Sequence, residues 1–148
     1  MMRKPLEDIR VVDMTHVWFG PWATMMMADM GAEVIRVEPP WGAIDRISEG
    51  MLYGRAPYTF HHLNQNKKDL TLNVKSPEGI RLLKELIKKS DVVVQNMSTG
   101  TMEKLGLGYE ELKKLNPGII YAALSGFGQY GPYKNRNSYA VFAEAMSG

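Results

Sequence analysis

Five short strand-like runs are spread along the chain, at residues 9–13, 33–38, 69–73, 91–94 and 119–124, and most are separated by segments with helical spacing. This alternation is the strongest constraint on the fold. Parallel neighbours need a crossover of a dozen or more residues, usually a helix, whereas antiparallel neighbours need only a tight turn. Strands spaced by helices therefore predict an α/β domain, with a mostly parallel sheet carrying helices on both faces.

The punctuation agrees with this reading. A helix over 21–30 ends at Gly31, and Pro39-Pro40 stops the second strand because proline cannot donate to a ladder. Met25, Met26, Met27 and Met30 are expected to fill core beneath the sheet. Asp69-Leu-Thr-Leu-Asn73 alternates with period two, which predicts a half-buried strand. Ser76-Pro77-Glu78 supplies an N-cap, a proline in the first turn and an early acid. Ile80, Leu83, Leu86 and Ile87 then share one helical face. Residues 91–94 and 119–124 read as buried strands, with short helices at 101–105 and 109–115 between them. A last helix over 139–146 carries the apolar stripe Tyr139, Phe142, Ala143 and Met146. Residues 41–64 show no clear period, and so long an irregular stretch is more often functional than idle.

Composition removes several function classes. With 148 residues the chain is expected to form one domain with a sizeable core. A net charge of +2 is too small to argue for nucleic acid or an anionic membrane. The absence of cysteine excludes disulfides, thiolate metal sites and a cysteine nucleophile. No apolar run approaches the roughly 18 residues of a membrane span, and the N-terminus lacks a signal-like apolar region, so a cytoplasmic location is expected.

If the sheet is parallel, the loops after its strands gather at one end. They are 16–21, 39–46, 73–75, 96–99 and the glycine-rich 126–132. Ligands of open α/β sheets bind there. Glycine, asparagine and lysine in these loops suit phosphate oxygens. The turn after the first strand is not Gly-x-Gly-x-x-Gly, which argues against a nicotinamide-dependent reductase. His61-His62 lacks helical i, i+4 spacing and an obvious third ligand, so no metal is expected. Lys67-Lys68 and Lys88-Lys89 read as solvated faces, and Asp45 as a loop acid without an evident partner.

The loop motifs, in order, resemble the class III CoA-transferases, the CaiB/BaiF family that includes formyl-CoA transferase and carnitine CoA-transferase. The resemblance runs through Thr15-His-Val-Trp-Phe-Gly-Pro21, Gly31-Ala-Glu-Val-Ile-Arg-Val-Glu-Pro-Pro40, Asn66-Lys-Lys-Asp-Leu-Thr-Leu72 and Lys75-Ser-Pro-Glu-Gly79. It continues through Asp91-Val-Val-Val-Gln-Asn96, Leu105-Gly-Leu-Gly-Tyr109, Leu115-Asn-Pro117 and Ser125-Gly-Phe-Gly-Gln-Tyr-Gly-Pro-Tyr133, covering nearly the whole chain.

The resemblance implies that residues 1–148 form the N-terminal, Rossmann-like CoA-binding part of that fold. It implies transfer of CoA from an acyl-CoA thioester to a carboxylic acid acceptor through aspartyl anhydride and thioester intermediates. CoA or acyl-CoA is then a substrate, with no covalently bound cofactor. The aspartate nucleophile and a second domain are expected beyond Gly148, and the whole protein as a homodimer, so this piece alone is expected to be inactive.

Transferred by position, His16, Val17 and Trp18 would line the thioester and pantetheine region. Leu72, Asn73, Val74 and Lys75 would hold the nucleotide end, with Lys75 on phosphate. Asn96, Met97 and Ser98 would border the groove and Lys104 would reach phosphate. Asn137, Ser138, Tyr139 and Ala140 would close over pantetheine. Trp18 stands where formyl-CoA transferase has a glutamine, which argues against formyl or oxalyl specificity. Pro39 replaces an arginine that some members use for CoA, a charge Arg46 is expected to supply in part.

Two other functions fit the same scaffold. An α-methylacyl-CoA racemase would carry a His-Asp pair where this chain has Tyr139-Ala140, so proton abstraction is disfavoured. A non-catalytic CoA-binding module is the other.

Overall fold

The computed structural model of the chain describes residues 3–46 and 58–148. Its centre is β1 (Arg10–Met14), which pairs in parallel with β2 (Glu33–Glu38) on one side and β4 (Val92–Gln95) on the other. Strands β3 (Lys68–Thr71) and β5 (Ile120–Ala123) extend the sheet outward, giving the all-parallel order β3-β2-β1-β4-β5. The predicted parallel α/β architecture is therefore present.

Alternate residues of the central strands feed opposite faces. Val11, Val34, Val92 and Val94 pack with Ala28 of α1 (Phe19–Asp29). Val12, Met14, Val37 and Val93 pack with Leu83 and Ile87 of α3 (Pro77–Ile87), with Met102 of α4 (Thr101–Lys104) and with Leu112 of α5 (Tyr109–Leu115). Helices thus cover both faces. The local signals did what their chemistry predicts: Ser76 Oγ accepts the Gly79 N–H at 3.0 Å, and Gly31 ends the α1 segment at φ +104°.

Two strand expectations fail because of position in the sheet, and two helical apolar stripes face outward instead. All four residues of β3 are exposed, because it is an edge strand beyond the main helix layer; Leu72 and Val74 just after it reach the core instead. At the opposite edge, β5 is not buried either, and Ile119 before it takes the core position while Ile120 faces out. In the methionine cluster Met25 is buried, but Met26 and Met30 lie on the outer side of α1 with Trp18 and Trp22, spaced four apart. The 139–146 stripe forms α6 (Ala140–Ser147), whose residues are all exposed.

Within the stretch read as irregular, Ile44–Arg46 form a 3₁₀ turn and Tyr58–Leu63 form helix α2. Residues 47–57 of that stretch lie outside the described residues. No helix among the described residues is long and apolar enough to cross a membrane.

Candidate functional site

Strand order reverses between β1 and β4: the chain builds outward through β2 and β3, then returns to the other side of β1. The carboxyl ends of these two strands therefore flank the crevice where open α/β sheets take their ligands. One side chain bridges it. Asn96 Oδ1 accepts the His16 N–H at 3.0 Å, and its Nδ2 donates to the His16 carbonyl at 2.8 Å.

The turn beyond His16 is held in an unusual shape. Val17 sits at φ +70°, a region that β-branched residues rarely adopt and that persists only where surroundings over-determine it. On one side is the Asn96 bridge. On the other, Gly20 lets the start of α1 close onto β1, since a Cβ there would stand 2.3 Å from Thr15 Cβ. Trp18, half-exposed, ends this turn as the residue that caps α1. Burial holds the His16 imidazole below its ordinary value; Asp45 and Asp13 raise it, and Arg36 lowers it further. The neutral imidazole is thereby favoured.

Beneath this turn lies a polar network that includes Lys67, read from the sequence as solvated. Its side chain is 1% exposed, and its Nζ contacts Asp13 Oδ2, the Pro21 carbonyl and Asn64 Oδ1, each at 3.0 Å. Asp13, fully buried, also accepts from Thr15 N–H at 2.9 Å, Thr15 Oγ1 at 2.5 Å and Thr24 Oγ1 at 2.6 Å. Four donors commit this carboxylate to fixing the β1–α1 corner, not to attacking a thioester. Asp45 also has a partner after all: Arg36 Nη2 meets its two oxygens at 2.8 and 3.0 Å, while Nη1 reaches Asn64. The available signal was β1 itself, whose buried run places an acid where only a paired acid is tolerated.

Arg46 is not free for a ligand. Its guanidinium grips the Glu38 carboxylate, reaches Asp69 at 2.9 Å and lies 4.0 Å above the Phe60 ring of α2. Burial raises Glu38, but hydrogen bonds from Arg46, Asp69 and the Ala43 N–H outweigh it and hold the group at about 2. Burial and the neighbouring Glu38 push Asp69 up to about 6, against the opposing effect of Arg46.

Asp69 therefore contributes stability that is present below its unfolded value and lost as pH rises through about 6. An Asp69→Asn variant, neutral at every pH, is expected to lose less stability than the parent from about pH 4 to pH 7. Urea melts across that range check it; parallel profiles would refute the assignment.

The other candidate residues divide into those near the crevice and those apart from it. Leu72, Val74 and Met97 pack against the same core cluster, joining the loops after β3 and β4. The Asn73 side chain accepts the Lys75 N–H at 3.0 Å, fixing that turn. Lys75 Nζ lies 5.1 Å from the centroid of Trp41, in the loop after β2. Ser98 is exposed beside Thr99, whose Oγ1 donates to the Lys134 carbonyl at 2.7 Å and ties in the glycine-rich region.

Ser138 backs onto Gly126 so closely that a Cβ there would stand 2.1 Å from its own. Asn137 lines a cavity of about 260 Å³ with Phe127, Arg136, Phe142 and Met146, while Tyr139 and Ala140 are exposed at the start of α6. Lys104 is exposed at the end of α4 and makes no ion pair among the described residues. No three His, Asp or Glu side chains among the described residues gather as a metal site.

Comparison with known proteins bears on what this crevice serves. Residues 6–148 match the family model described as CoA-transferase family III. The chain is 45% identical over 146 residues to succinyl-CoA:glutarate CoA-transferase of Mus musculus, covering 98% of this chain and 34% of that protein. It is 45% identical over 148 residues to formyl-CoA:oxalate CoA-transferase of Streptomyces coelicolor, covering 100% of this chain and 36% of that one. The chain thus spans about a third of the length of these relatives. Among solved structures, a CAIB/BAIF family protein from Brucella suis superposes with a TM-score of 0.91 at 36% identity, covering 98% of this chain and 39% of that one. The sequence match, the parallel sheet and the structural likeness all agree: this chain belongs to CoA-transferase family III.

Proposed function

We propose that this chain is the CoA-binding N-terminal domain of an enzyme that moves CoA from an acyl-CoA thioester to a carboxylic acid. The observation that carries the proposal is the switch point between β1 and β4, where Asn96 ties the loop after β4 to His16, next to Val17 and Trp18. An imidazole whose neutral form is favoured suits a thioester and its amide-rich pantetheine arm better than it suits an anion. The nucleotide end would lie along Leu72, Asn73, Val74 and Lys75, with Met97, Ser98, Lys104 and residues 137–140 as outer borders.

The chemistry in this reading runs through an aspartate carried by sequence beyond Gly148. Its carboxylate attacks the thioester carbonyl and expels CoA thiolate, leaving a mixed anhydride. The thiolate then attacks the aspartyl carbonyl, forming an enzyme thioester and releasing the donor acid. The acceptor carboxylate repeats the sequence in reverse, ending with its own CoA thioester and a free aspartate. This chain would hold CoA throughout and turn nothing over alone. The apolar outer sides of α1 and α6 support burial of those faces in the complete, homodimeric enzyme.

Calorimetric titration of the 148-residue chain with CoA tests the reading. Saturable binding is expected, and Lys75→Ala is expected to weaken it about tenfold, the scale of a charge-assisted contact. A parent chain that is folded by circular dichroism but binds no CoA would overturn it.

A further inference from the structure

The loop after β2 carries a large aromatic side chain that is mostly exposed among the described residues. Trp41 is 62% exposed, yet its backbone is held firmly. Pro39-Pro40 restricts the approach, the Gly42 N–H closes a turn on the Pro39 carbonyl at 2.9 Å, and Gly42 takes φ +86°. The next residue is tied as well, with the Ala43 N–H donating to the Glu38 carboxylate at 3.2 Å, which Arg46 grips in turn. An indole left in water on a braced turn is pre-organised for contact with something outside the chain.

An indole has two faces. Lys75 Nζ lies against one, 5.1 Å from the ring centroid and within cation–π range. The side chain as a whole stays 62% exposed, which leaves ring surface for a ligand. This pair sits at the carboxyl end of the sheet, where the Leu72 N–H bonds to the Glu38 carbonyl at 2.8 Å and the loops after β2 and β3 leave side by side. A flat π-surface beside an ammonium group matches a ligand that joins a purine to phosphates.

Resting on the CoA-binding reading above, we infer that Trp41 is the stacking platform for the adenine ring of CoA. The base lies on the open face of the indole. Lys75, behind the ring, is the cation nearest the phosphates of the same nucleotide. The platform selects the nucleotide end of the ligand and leaves the pantetheine arm to the crevice at His16.

The test is titration of the 148-residue chain and its Trp41→Ala and Trp41→Phe variants with CoA and with 4′-phosphopantetheine, which lacks the adenosine. Trp41→Ala is expected to weaken CoA binding about tenfold, as loss of base–aromatic stacking does, while 4′-phosphopantetheine binds as it does to the parent. Trp41→Phe, which keeps a π-face, is expected to retain most of the CoA affinity. A second readout compares the emission of the parent with that of Trp41→Phe: CoA should quench the parent more strongly, while 4′-phosphopantetheine should affect the two alike. Undiminished CoA binding by Trp41→Ala, or an equal loss for both ligands, would overturn the platform and leave CoA binding itself intact. Failure of the parent to bind CoA would overturn both readings.

Discussion

A Lys67→Met variant is expected to lose about 3–5 kcal/mol of unfolding free energy, the cost of leaving one member of a buried ion pair without its partner. Methionine fills much of the lysine volume, so packing changes little while the Asp13 carboxylate loses its counter-charge. Burial already pulls the Lys67 ammonium below the usual lysine range, with Asp13 only partly restoring it, so the pair is a costly arrangement even when complete. A Lys67→Met/Asp13→Asn double variant should therefore be more stable than Lys67→Met alone. Urea unfolding of the three proteins measures this. A single-variant loss below about 1 kcal/mol, the level of a solvated pair, would mean that water reaches Asp13 and that the corner needs no buried cation.

Gly79→Ala is expected to be nearly as damaging, although helix propensity alone would favour it by about 1 kcal/mol. An added Cβ would stand 1.9 Å from the Asn73 carbonyl oxygen, a backbone atom with no side-chain freedom to move aside. That oxygen also accepts the Ser76 N–H at 3.1 Å and Ser76 Oγ at 2.9 Å, while Ser76 Oγ accepts from the Gly79 N–H. Relieving the clash shifts the 73–76 turn and weakens the cap of α3. The net cost should be about 2–3 kcal/mol, toward the upper range for overpacking. In the CoA-binding reading proposed above, Lys75 rides on the same turn, so CoA affinity should fall as well. A variant as stable as its parent would show that α3 can slide off the turn freely.

What the sequence disclosed depended on the range of the interaction. Ser76 and Gly31 act within one helical turn, and their roles were legible from neighbours alone. The β1, β2 and β4 runs could be read because their apolar side chains are buried whatever the strand order. Edge exposure of β3 and β5 could not, since their patterns match those of more buried strands and only the order β3-β2-β1-β4-β5 places them outside. Lys67 misled for a related reason: adjacent lysines normally face water, and its acid lies 54 residues away. The family motifs directed attention to the loops after the strands. They did not indicate that Asn96 and His16 are bonded to each other, or that Trp41 stands over Lys75.

The Asn96 bridge also defines which residues its position can accept. His16 presents one donor and one acceptor, and a carboxamide answers both at once with a donor and an acceptor of its own. Aspartate has the same reach but would set a second acceptor against the His16 carbonyl. Serine is too short, and glutamine is one methylene too long for this separation. The approach of the two loops that leave β1 and β4 is thus matched to a single side chain, gauged to one carbon–carbon bond, and the substitution spectrum of position 96 should collapse to asparagine wherever these loops must keep their spacing.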